Sequence, residues 1–84
     1  MDTQIIREKI VRFLKTIKRP DLSIDQIHDN DGLVKSGLID SLAMLEIIAF
    51  LESEFKIDFS ETGIDPVELE SIQKIIELIS KRAK

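Results

Sequence analysis

The chain has no cysteine, tryptophan or tyrosine and only one histidine, two prolines and three glycines among its 84 residues. Without cysteine there is no disulfide framework, no thiolate zinc site and no cysteine nucleophile. The lone histidine, His28, excludes a histidine-rich metal cluster and a two-histidine mechanism. The only aromatics are four phenylalanines, a poor supply of base-stacking platforms. A net charge of −4 opposes binding to a phosphate backbone, so nucleic acid is not an expected partner. No apolar run approaches the roughly 20 residues of a membrane helix, and no membrane insertion is expected. Met1-Asp2-Thr3-Gln4 lacks the basic-then-apolar layout of a secretory signal, so the expected location is the cytoplasm. No Gly-rich phosphate loop, catalytic triad or His/Glu metal motif occurs, so neither an enzyme nor a metal protein is expected.

What remains has the balance of one soluble domain spanning residues 1–84, with 43% hydrophobic and 33% charged residues. The charge is unevenly spread. Residues 1–20 carry six basic and two acidic side chains, and residues 71–84 carry four basic and one acidic. Residues 21–39 hold four aspartates against Lys35, and residues 40–70 hold nine acidic residues against Lys56. As a charge block alone this acidic middle reads first as a solvated helix face, and as a functional feature it would orient basic partners more than it stabilises the fold.

The pattern predicts an all-α fold, a four-helix bundle with a short third helix and a long loop between helices 1 and 2. Ile6, Ile10, Phe13, Leu14 and Ile17 recur at helical spacing, with a cap at Asp2 or Thr3 and a stop at Pro20, placing the first helix at about 3–18. The connection over 20–40 is rich in Asp, Asn, Gly and Ser, and Leu22, Ile24, Ile27, Leu33 and Leu38 are its candidate anchors to the core. Within it, Asp29-Asn30-Asp31-Gly32 begins like a calcium loop but lacks the glutamate at EF-hand spacing, which favours a turn. A second helix from about Ser41 to Phe55, capped by Asp40, offers Leu42, Leu45, Ile48, Leu51 and Phe55 as a core stripe, with Met44, Ile47, Ala49 and Phe50 widening it. Asp65-Pro66-Val67-Glu68 signals a short helix start, and Ser71 caps a last helix with the stripe Ile72, Ile75, Ile76 and Ile79.

Ser41 stands at a helix start beside a carboxylate, where free N–H groups and the helix dipole favour a phosphate. Position alone allows two readings, a phosphate-bearing serine and a plain helix cap, and the cap is the commoner use. The wider pattern adds to this. Leu33, Gly37, Asp40-Ser41-Leu42, Glu46, Leu51-Glu52, Phe55 and Ile57 stand in the order and spacing of the phosphopantetheine-binding carrier proteins, the acyl carrier protein family. The resemblance covers roughly residues 5–80. The Gly37-Leu38-Ile39-Asp40-Ser41 form, with two residues between glycine and aspartate and Ala43 after Leu42, is similar to D-alanyl carrier proteins and to stand-alone carriers of specialised pathways. Bulk fatty-acid carriers usually place one residue there and an acid after the leucine.

That resemblance implies a function. A phosphopantetheinyl transferase would attach 4′-phosphopantetheine from coenzyme A to Ser41, with Asp40 and Leu42 flanking the cofactor, and the arm's thiol would hold the cargo as a thioester. The leading expectation is an acyl cargo for fatty-acid, lipid or polyketide-type synthesis. The alternatives are an aminoacyl cargo, D-alanyl or peptidyl, and a non-covalent helical interaction module. A loading ligase and downstream synthase enzymes would dock on Glu46, Glu52 and Glu54 with the apolar positions Leu45 and Ala49. Ile48, Phe50, Ile57, Ile64 and Val67 are the implied walls of a cargo pocket. A monomer is expected.

Overall fold

The computed structural model describes residues 2–18, 20–59, 63 and 65–82. Among them are three α-helices, α1 (Thr3–Ile17), α2 (Ala43–Glu54) and α3 (Ile72–Arg82), and two single turns of 3-10 helix, Ile24–Gln26 and Pro66–Leu69. No strand occurs among the described residues. The all-α class is as expected. The expected short third helix is the second 3-10 turn, four residues long, so three α-helices rather than four occur among the described residues.

Each start follows from a local hydrogen bond. Asp2 accepts from the Gln4 N–H at the head of α1, and Asp65 accepts from the Val67 N–H at the second 3-10 turn, with Pro66 supplying the fixed φ of a first helical position. At α3 the buried Ser71 hydroxyl accepts from the Lys74 N–H (3.1 Å), and the Asp29 carbonyl accepts from the Gln73 N–H (2.9 Å). Two free donors of α3 are thereby satisfied, one of them by a residue more than forty positions earlier in the chain.

The core collects Ile6, Ile10 and Leu14 of α1, Ala43, Ile47 and Leu51 of α2, and Ile72, Ile75, Ile76, Leu78 and Ile79 of α3. Ile57, Phe59 and Leu69 close it. On α1 and α3 the buried sets follow the stripes that the sequence suggests. On α2 they do not: Leu42 is 74% exposed and Leu45 67% exposed, while Ala43 and Ile47 are buried. The buried stripe is the straight i+4 series Ala43, Ile47, Leu51 and Phe55. Almost every position from Leu42 to Leu51 is apolar, so helical spacing alone admits both stripes. The aromatic contacts help set the rotation. Phe50 stacks on Phe13 of α1 with centroids 4.2 Å apart and meets Phe55 edge-on at 5.9 Å.

The long connection is ordered by its own bonds. His28–Asp31 is a turn in which the Asp31 N–H donates to the His28 carbonyl (3.0 Å) and the His28 N–H to the Asp31 carboxylate (2.9 Å). Asp29 takes a bidentate pair from Arg7 (2.9 to 3.1 Å), which raises the Arg7 pKa above its ordinary value chiefly through those hydrogen bonds. The Leu33 N–H donates to the Glu70 carbonyl at 2.7 Å, tying the loop to the second 3-10 turn. Of the expected anchors, Ile24, Leu33 and Leu38 are buried and Leu22 and Ile27 are partly buried; Ile39 is buried as well.

Candidate functional site

The chain reaches the Asp40-Ser41-Leu42 segment from a helical turn over Gly32–Gly37, where the Ser36 N–H donates to the Gly32 carbonyl and the Gly37 N–H to the Val34 carbonyl. Gly37 ends this turn with φ +85°, a left-handed conformation that side chains with a Cβ resist. Leu38 and Ile39 then plunge into the core at 0% and 1% exposure. The two residues that separate Gly37 from Asp40 are therefore anchors, and Asp40, Ser41 and Leu42 emerge together on the surface directly after them.

At that point the chain turns into α2. Asp40 performs the capping: one carboxylate oxygen accepts from the Ala43 N–H at 2.9 Å, and its carbonyl accepts from the same group at 3.2 Å. The next two amides, of Met44 and Leu45, donate to the carbonyls of Ser41 and Leu42 in tight i+3 turns. Ser41 is exposed, and among the described residues its hydroxyl enters none of these bonds. The choice left open by position alone thus narrows, because the cap is the neighbouring carboxylate.

Ser41 lies on the wall of a cleft of about 620 Å³. Three separate segments build it: Asn30, Asp31, Gly32, Val34 and Lys35 from the loop, Ser41 and Met44 from the start of α2, and Val67 of the second 3-10 turn with Glu70 directly after it. The volume is within the roughly 300–1,000 Å³ of sites that hold small organic groups. Of the five residues suggested as cargo walls, Val67 lines this cleft. Ile48 is half-buried on α2, Phe50 faces α1 through its stack on Phe13, and Ile57 is buried in the core; Ile64 lies outside the described residues. Met44 carried a faint signal, an apolar residue in excess of one stripe. Val34, Lys35, Asn30 and Glu70 carried none, since only tertiary contacts bring them to Ser41.

The suggested docking residues divide in a similar way. Leu45, Glu46, Ala49 and Glu52 are all exposed and, with Leu42, occupy one face of α2 opposite its buried stripe. Glu54 turns toward α1 and pairs with Lys9 at 3.0 Å, with both side chains about 40% exposed (41% and 42%). Among the described residues no group of three or more His, Cys, Asp or Glu side chains is placed to hold a metal ion. None of the described helices is long and apolar enough to cross a membrane.

The geometry accords with comparisons to known proteins. The family described as "Phosphopantetheine attachment site" matches residues 4–79. D-alanyl carrier proteins of Leuconostoc citreum (strain KM20) and Leuconostoc mesenteroides subsp. mesenteroides are each 34% identical over 71 residues, which cover 84% of this chain and 87% of the relative. The chain belongs to the phosphopantetheine-attachment carrier family, whose cofactor is 4′-phosphopantetheine attached covalently to a serine.

Proposed function

From that membership we propose that the protein carries its cargo as a thioester on a 4′-phosphopantetheine arm attached to Ser41, and that the cargo is an aminoacyl group. One observation carries the choice of serine: Asp40 caps α2, which leaves the exposed Ser41 hydroxyl uncommitted at the rim of a cleft. The aminoacyl cargo rests on the likeness to two D-alanyl carrier proteins. An acyl cargo of the lipid or polyketide type is the second reading, favoured by the apolar Val34, Met44 and Val67 beside Ser41.

When attached, the arm supplies a mobile thiol, which a chain without cysteine cannot provide itself. The residues of the chain supply the rest. Leu38 and Ile39 root the segment in the core, Asp40 holds the turn, and the Ser41 oxygen accepts the phosphopantetheinyl group from coenzyme A on the transferase, releasing its proton and adenosine 3′,5′-bisphosphate. Leu42, Leu45 and Ala49, with Glu46 and Glu52, form a mixed apolar and acidic face for the transferase, the loading ligase and the downstream enzymes. An apolar centre contributes buried area in such a contact, and acidic groups at its edge raise the encounter rate and orient the partner.

Incubation with coenzyme A, magnesium and a phosphopantetheinyl transferase is expected to raise the intact mass by one phosphopantetheinyl group, and Ser41→Ala to abolish the gain. An unchanged mass with a transferase active on another carrier refutes the assignment and leaves the non-covalent module. The arm-bearing protein is then offered to an amino-acid adenylating enzyme and to an acyl ligase from the same genome. Loading by the acyl ligase alone replaces the aminoacyl reading by the acyl one.

A further inference from the structure

At the start of α2 the Ala43 N–H is held by Asp40, and the Met44 and Leu45 N–H groups by carbonyls of the turn itself. A phosphodiester on Ser41 would add a second negative charge beside the Asp40 carboxylate, which a nearby cation would offset. Between Pro20 and Phe55 the only Lys or Arg is Lys35, and the fold puts it on the wall of the same cleft as Ser41.

Lys35 also has a made-to-measure support. A Cβ built on Gly32 would stand 3.1 Å from the Lys35 Cβ and 3.4 Å from its Cγ and Cδ, so the lysine stem lies across the glycine and occupies the space of a side chain there. Gly32 lacks a left-handed φ, which makes this close approach the visible reason for a glycine at the position. The rest of the lining is mixed: Val34, Met44 and Val67 are apolar, while Asn30 and Glu70 offer hydrogen-bonding groups. A phosphopantetheine arm carries the same kinds of group, an anionic phosphodiester, a branched hydrocarbon and two amides.

Resting on the assignment of Ser41, we infer that this cleft is a resting seat for the protein's own arm, with Lys35 meeting the phosphodiester and Val34, Met44 and Val67 the hydrocarbon. The occupant is fixed by tethering. An arm anchored on the wall of the cleft is present at an effective concentration on the order of millimolar, so a weak and reversible contact suffices to fill the seat. Reversibility is what a carrier requires, because the thiol has to leave the seat to meet each partner. Val67 lies in the second 3-10 turn and Glu70 directly follows it, and the Leu33 N–H bond to the Glu70 carbonyl joins the two walls of the seat.

The test compares the protein before and after arm attachment by backbone amide NMR, with intact mass showing complete modification of every sample. Attachment is expected to shift amides at 30–35 and 67–70 as well as those next to Ser41. Lys35→Gln is expected to reduce the remote shifts at least twofold and to move the phosphodiester ³¹P resonance, while Lys35→Arg retains them. Gly32→Ala, which displaces the lysine stem and keeps its charge, is expected to act like Lys35→Gln. Raising the salt concentration is expected to weaken the remote shifts in the unaltered protein, since the contact is exposed. Full modification with shifts confined to 39–44, or remote shifts unaltered by Lys35→Gln, overturns the seat and leaves Ser41 as the attachment residue. No mass gain overturns both.

Discussion

Helices α2 and α3 are of similar length, twelve and eleven residues, yet they use their apolar residues differently. In α3 every residue of the expected stripe is buried, and the exposed positions are polar or charged. In α2 apolar residues surround most of the helix, and two leucines at its start are left in solvent. The first pattern belongs to a helix whose only task is to complete a core. The second has more apolar surface than one core contact can take up, and the surplus sits beside Ser41 on the face that also carries Glu46 and Glu52. A surplus of this kind, rimmed by charge, is what the proposed docking face requires.

That contrast can be broken by substitution. The largest effect is expected from Ile75→Ala in α3, a fully buried side chain whose loss should cost about 2–5 kcal/mol in urea unfolding. A loss below about 1 kcal/mol would mean that α3 is not the structural partner described here. Gly37→Ala comes next: forcing a Cβ into the left-handed region should cost about 1–2 kcal/mol. It should also slow modification by the transferase, because the turn that delivers Ser41 is disturbed. Asp40→Ala removes the cap of α2 and should cost about 1 kcal/mol, while Asp40→Asn should recover most of it. Leu45→Ala should change stability by no more than about 0.5 kcal/mol and yet lower the kcat/KM of the loading ligase. If Leu45→Ala instead destabilised the fold as Ile75→Ala does, the difference between the two helices would vanish.

The ion pairs are a lesser matter. Arg7–Asp29 and Lys9–Glu54 join α1 to the loop and to α2, but both are largely exposed and each contributes at most about 1 kcal/mol. Arg7–Asp29 matters more for position than for energy, because the Asp29 carbonyl is the group that receives the Gln73 N–H at the start of α3.

Residue identity and spacing were enough for α1, α3, the caps at Asp2, Asp65 and Ser71 and the presence of a turn close to Asp29–Gly32, which forms at His28–Asp31. Those features depend on hydrogen bonds between near neighbours or on a stripe with a single solution. The rotation of α2 was not legible, because Leu42–Leu51 offers two stripes and the choice falls to Phe13, Leu38 and Ile39, which lie elsewhere in the chain. The cleft was not legible either. It joins residues 30–35, 41–44 and 67–70 through backbone bonds such as Leu33 to Glu70, and a backbone bond leaves no trace in side-chain identity. By itself, then, the sequence determined that the chain is helical and where α1 and α3 begin. Only the tertiary structure decided which face of α2 meets solvent and that Lys35 and Ser41 line one cleft with Val67 and Glu70, because both follow from packing that residue spacing does not encode.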